Sequence, residues 1–115
     1  MKGILAAIER LDSLKINLEK EGPLTTSEVA QLIRSSINSE YEAIATYQKI
    51  ADKTEDPIVK KVMLSVMNEE LIHAGEFIRL LYHISPNEDS AYQKGFEEVE
   101  KMIKEEEVKQ SSTSE

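Results

Sequence analysis

The chain of 115 residues carries 14 Lys and Arg against 22 Asp and Glu, a formal charge of −8, and has no cysteine. That balance argues against nucleic acid or an anionic membrane as partner and suits a protein that attracts cations. Without cysteine there is no disulfide, no thiolate-held metal and no cysteine nucleophile, so any metal falls to carboxylate, imidazole or water.

With only 3 Pro, 4 Gly and 5% aromatic residues, and no convincing run of alternating β-branched residues, the sequence predicts an all-α chain. A first amphipathic helix is expected over residues 2–20, with Ile4, Ile8, Leu11 and Leu18 at helical spacing and a stop at Gly22-Pro23. Glu9, Arg10, Asp12 and Lys15 interrupt its apolar residues, which makes it neither a signal peptide nor a membrane span and leaves the cytoplasm as the expected location. Thr25 with Glu28 matches a capping box and opens a second helix reaching to about Thr54. Asp56-Pro57 supplies an N-cap with proline in the first turn, and the third helix continues to about Tyr82. Ser85-Pro86-Asn87-Glu88 repeats the start signal for a shorter, charged fourth helix. The expected organisation is an N-terminal helix (1–22), a helical hairpin with its C-terminal helix (25–104) and a disordered charged tail (105–115). Two long helices with a short connection fold back as an antiparallel hairpin. So small a core calls for oligomerisation.

The second helix places Ile33, Ile37, Glu40, Ile44, Tyr47 and Ala51 at alternating steps of four and three, the spacing of a single buried stripe. The third does the same with Val59, Met63, Val66, Glu70, His73, Phe77 and Leu80. Glu40, Glu70 and His73 thus stand among aliphatic neighbours, where a charge is costly unless it is paired or binds metal, and neither stripe supplies a basic partner. Register adds an independent coincidence. Glu40 precedes Glu55 at the turn by as many residues as Glu70 follows it, so that each lies about 22 Å from the turn and the two carboxylates face each other. Glu70 and His73, three apart, share a helix face.

A Glu from one helix and a Glu-x-x-His from the next is half of the ligand set of a carboxylate-bridged di-iron bundle. Two divalent ions carry four positive charges, which four carboxylates from two copies neutralise and those of one copy do not. The expected centre therefore holds two iron ions per dimer. Iron, manganese and zinc all accept these donors, and the competing reading is a metal-free scaffold in which the three residues form a buried polar layer. Tyr47, one heptad from Glu40, is either core or a hydrogen-bonding partner of a ligand carboxylate, and Glu42, off the stripe, is a candidate cation-access residue.

Ser39-Glu40-Tyr41-Glu42-Ala43 with Tyr47, followed by Asn68-Glu69-Glu70-Leu71-Ile72-His73-Ala74-Gly75-Glu76-Phe77, resembles the encapsulated ferritins, half-length members of the ferritin-like superfamily. The resemblance runs from about Thr25 to Val99 and includes Gly95-Phe96-Glu97-Glu98-Val99. It implies a ferroxidase centre at a dimer interface, an open ring of dimers that is commonly a decamer, and association with an encapsulin shell. By the same resemblance Glu40, Glu70 and His73 are ligands, Tyr47 supports a ligand, and Glu42 belongs to an acidic cation-access site. Ser39 stands where the family has an acidic residue, Thr46 where it sometimes has an aromatic one, and residues 105–115 show no glycine-serine-leucine cargo signal. A rubrerythrin-like peroxidase keeps the same site, although the absence of cysteine removes its usual electron-transfer module.

Overall fold

Thr25 and Asp56 start the two long helices as their sequences predict. In the computed structural model, which describes residues 18, 19 and 21–113, α1 spans Thr26–Lys53, α2 Pro57–Ile84 and α3 Pro86–Thr113. The Glu28 amide donates to Thr25 Oγ1 at 3.1 Å while the Thr25 amide donates to Glu28 Oε1 at 2.9 Å, a reciprocal capping box that satisfies two otherwise orphaned N–H groups. At the head of α2, Asp56 Oδ1 accepts from the amides of Ile58 and Val59, and Pro57 takes the first-turn position where a missing N–H costs nothing. Between them lies the connection Thr54–Asp56, closed by a bond from the Asp56 amide to Thr54 Oγ1 at 3.1 Å. Gly22 adopts φ 86°, the left-handed conformation that favours glycine. The expected N-terminal helix, apart from residues 18 and 19, lies outside the described residues.

α1 and α2 pack along their length as the expected hairpin, and α3 packs on α2. The core sits at the end away from the turn, where Ala30, Ile33 and Leu81 are buried with Val29, Ile37, Phe77 and Ile84 packed around them. Ala51 and Ala74, 1% and 2% exposed, are the other buried apolar residues among those described. Among the described residues no large side chain is fully enclosed. A hairpin alone has one contact seam, and its remaining apolar surface stays open until another surface covers it.

The stripe read on α2 shifts on the structure. His73 and Leu80 are exposed, whereas Ala74 and Leu81, one residue further on, are the buried ones. Alternating steps of four and three average 3.5 residues, while a helix turns every 3.6, so a strict heptad line drifts by about 20° per heptad from the inward direction. The last helix also differs from expectation. α3 has 28 residues, the same as the other two, and continues through residues 105–113 where a disordered tail was predicted. No proline or glycine follows Gly95, and the run Lys101–Lys109 is rich in helix-favouring Lys, Glu and Met.

Candidate metal centre

Glu40 on α1 and Glu70 and His73 on α2 come together as register predicts. One donor atom from each lies within 4.8 Å of the others. An ion that binds oxygen or imidazole nitrogen at about 2.1 Å spans donors about 4.2 Å apart when they stand opposite each other and about 3.4 Å apart at the tetrahedral angle, so side-chain shifts of roughly 0.6 to 1.4 Å close the set on one metal. His73 Nδ1 stands 3.7 Å from Glu70 Oε2, beyond hydrogen-bond range. The imidazole is thus not spent on its neighbour, and a two-carboxylate, one-imidazole donor set fits iron, manganese or zinc.

Exposure decides how the cluster is to be understood. Glu40 and Glu70 are half-buried, but the His73 side chain is 50% exposed. His73 lies on the shoulder of the stripe, with Ala74 taking the inward position, a rotation that the heptad drift begins and packing against α1 completes. The cluster therefore opens to solvent on its imidazole side, while Glu40 and Glu70 stay partly covered by the hairpin. Among the described residues no lysine or arginine lies within ion-pair distance of Glu40 or Glu70. Two like charges held close without a basic partner create the negative potential that draws a divalent cation.

Tyr47 is half-buried on the same face of α1, one heptad from Glu40. Glu42 is also half-buried, but two residues beyond Glu40 is about 200° around the helix, so it stands apart from the cluster.

The strongest electrostatic feature outside the cluster was not foreseen. Arg34 of α1 pairs with Glu88 in the first turn of α3 through Nη2 and, at 3.4 Å, through Nε. The Glu88 carboxylate also accepts from the Ser85 hydroxyl at 3.0 Å and the Tyr92 hydroxyl at 2.9 Å. Hydrogen bonding from Arg34 before all else holds the Glu88 carboxyl at about 2, below its ordinary value, and the same bond raises Arg34 further. The bond to Glu88 raises the Tyr92 phenol in turn. The rings of Tyr92 and Tyr82 lie 5.5 Å apart at 50°, adding a tilted aromatic contact at the same junction. A capping motif identifies Glu88 in the sequence, but the arginine 54 residues earlier leaves no local signal.

Comparison with known proteins shows the family to which this fold belongs. The family model described as Rubrerythrin matches residues 31–113, which covers α3 and nearly all of the hairpin. The chain belongs to this family of rubrerythrin and ferritin-like proteins. It is also similar to the crystal structure of the encapsulated ferritin domain from Pyrococcus furiosus, with 36% identity and a TM-score of 0.67 over 76% of this chain and 93% of that one. A ferritin-like-encapsulin shell fusion protein of Pyrococcus furiosus is 35% identical over 85 residues, 74% of this chain and 25% of that protein. The encapsulin nanocompartment cargo protein EncC of Myxococcus xanthus is 37% identical over 78 residues, 68% of this chain and 58% of that protein. This chain thus matches a quarter of one curated relative and somewhat over half of the other. The all-α, ferritin-like fold expected from the resemblance is the fold observed. Among the described residues no helix is long and apolar enough to cross a membrane.

Proposed function

We propose that the chain is a ferroxidase whose centre forms when two copies bring their Glu40, Glu70 and His73 clusters face to face, each copy supplying half of a di-iron site. The observation that supports this reading is the cluster itself, whose donor atoms lie within 4.8 Å of one another with the imidazole open to solvent. Two Fe²⁺ ions are the substrate. Each gives up one electron, and O₂ takes both electrons with two protons from solvent to leave two Fe³⁺ and one H₂O₂. The four carboxylates of the pair balance the charge of two divalent ions, which lowers the cost of holding them a few ångströms apart. His73 adds a nitrogen donor to the carboxylates, and its exposure lets it turn toward an ion between the copies. Tyr47 orients a ligand carboxylate by hydrogen bonding, and Glu42 collects incoming cations on the outer side of α1.

Dimers of this kind assemble further into a ring, a decamer by the family resemblance. An open ring has no interior of its own for mineral, so the ferric product passes to another compartment. The names of the two curated relatives support an encapsulin shell as that compartment, with this chain as its cargo or as a part fused to it.

The test is aerobic Fe²⁺ oxidation followed by absorbance, with the protein sized by sedimentation before and after metal addition. The unaltered chain is expected to bind two irons per dimer and to turn them over, while Glu70→Ala and His73→Ala fall to the rate of buffer. Loss of the reading follows if the unaltered chain oxidises iron no faster than Glu70→Ala, or does so fully as a monomer. Consumption of H₂O₂ in place of O₂ at the same residues assigns the peroxidase chemistry instead.

A further inference from the structure

α3 leaves the hairpin through a joint of one residue. Ser85 alone separates α2 from α3, at φ −132° and ψ 75°. Its amide donates to the Leu81 carbonyl at 2.8 Å and its carbonyl accepts from the Glu88 amide at 3.0 Å, so one residue caps both helices. Pro86 disfavours helical backbone at Ser85, which keeps α2 and α3 from merging into one helix and leaves the angle between them to two dihedrals. Backbone packing adds little constraint. α1 and α3 do not pack against each other, and α3 meets α2 near its start, where Tyr92 lies against Tyr82. From residue 90 to residue 112 every position is exposed.

We propose that Arg34 sets the direction of α3, acting as a brace from α1 to Glu88 across the single-residue joint, and that without it α3 swings about Ser85. The bridge is built for orientation. Arg34 Nη2 takes Glu88 Oε1 while Nε takes Oε2 at 3.4 Å, so two nitrogens of one planar group meet two oxygens of another. A single ion pair fixes a distance, whereas a fork on a fork also fixes an angle. Both ends are anchored. Arg34 stands on α1, which α2 braces along its length. The Glu88 carboxylate is held in turn by the Ser85 hydroxyl at 3.0 Å, inside the joint itself, and by the Tyr92 hydroxyl at 2.9 Å, one turn along α3. The brace thus ties three helical segments, α1, the end of α2 and the start of α3, through one carboxylate that is 20% exposed.

Leverage makes the brace consequential. Lys104 lies 19 residues beyond Ser85, about 28 Å along the helix, so a swing of about 20° at the joint carries it about 10 Å. The assignment stands apart from the chemistry proposed for Glu40, Glu70 and His73, none of which takes part in the bridge.

Spin-label distances on the full, metal-free chain test the brace. The chain has no cysteine, so labels go where cysteines are introduced. Lys49→Cys with Lys104→Cys reports the direction of α3 from α1, and Lys49→Cys with Arg79→Cys reports the hairpin alone; all three positions are exposed. Labelled protein is mixed with an excess of unlabelled chain so that only distances within one copy are read. With Arg34 and Glu88 intact, the first pair is expected to give one narrow distribution. Arg34→Ala and, separately, Glu88→Ala should each widen or shift it by about 10 Å or more, while the hairpin pair stays unchanged. A distribution that stays narrow and in place in either variant overturns the proposal, because the joint and the ring contact would then suffice. So does a broad distribution in the chain with both residues intact. Widening of the hairpin pair in the variants also overturns it, since the effect would then lie in the seam of α1 and α2 and not at the joint.

Discussion

Leu80 and Leu81 are adjacent leucines with opposite environments, and truncating each in turn measures where the hairpin seam runs. Leu81 is 3% exposed and packs with Ala30 and Ile33, with Phe77 and Ile84 around it. Leu81→Ala removes a nearly buried isobutyl group and leaves a cavity, a loss of about 2–4 kcal/mol. Leu80 is 44% exposed, so Leu80→Ala forfeits only part of the transfer term and opens no cavity, which comes to about 1 kcal/mol. The assay is urea unfolding of the metal-free chain followed by helical circular dichroism, at low protein concentration so that association contributes little. Equal losses at the two positions would refute the drift argument and return the seam to the strict heptad line through Leu80. If a second copy covers the Leu80 side, the cost of Leu80→Ala rises with protein concentration while that of Leu81→Ala keeps its excess.

The ion pair of Arg34 and Glu88 gives a pH test. The Glu88 carboxyl is held at about 2 in the folded chain against 4.5 ordinarily, so its contribution is complete above about pH 4.5 and is lost as pH falls toward 2. Because Arg34 is 45% exposed, the contribution is on the order of 1 kcal/mol, and Glu88→Gln should be less stable than the unaltered chain at neutral pH and converge with it in acid, as thermal unfolding across that range would record. Asp56→Ala removes the acceptor of the Ile58 and Val59 amides and should cost about 1 kcal/mol in urea unfolding, with no change in iron affinity per folded chain. Tyr47→Phe deletes the hydroxyl proposed to orient a ligand carboxylate and should slow Fe²⁺ oxidation while leaving iron stoichiometry intact, a separation that single-turnover absorbance resolves. Replacing O₂ by argon should leave Fe²⁺ bound at Glu40, Glu70 and His73 and abolish its oxidation; continued oxidation without an acceptor would discard the proposed electron balance.

Helix starts were legible in the sequence because capping is local chemistry. Thr25 and Glu28, or Asp56 and Pro57, satisfy nearby amides whatever the rest of the chain does. The pairing of Glu40 with Glu70 was legible for a different reason: a short connection and a fixed rise per residue turn chain distance into height. Both are properties of one or two helices. The expectation that α3 would end near residue 104 failed because polar composition alone does not break a helix, and residues 105–113 contain neither proline nor glycine.

By itself, then, the sequence determined helix identity, the turn, and which carboxylates share a level, all of which depend on neighbours along the chain. Only the tertiary structure decided which side of each stripe is closed. It moved the buried line from His73 and Leu80 to Ala74 and Leu81, a rotation of the helix set by packing rather than by residue order. It joined Arg34 to Glu88 across 54 residues, for which no spacing rule exists. And it left His73 half-exposed beside two partly buried carboxylates, so that the cluster read from the sequence opens to the surface on its imidazole side.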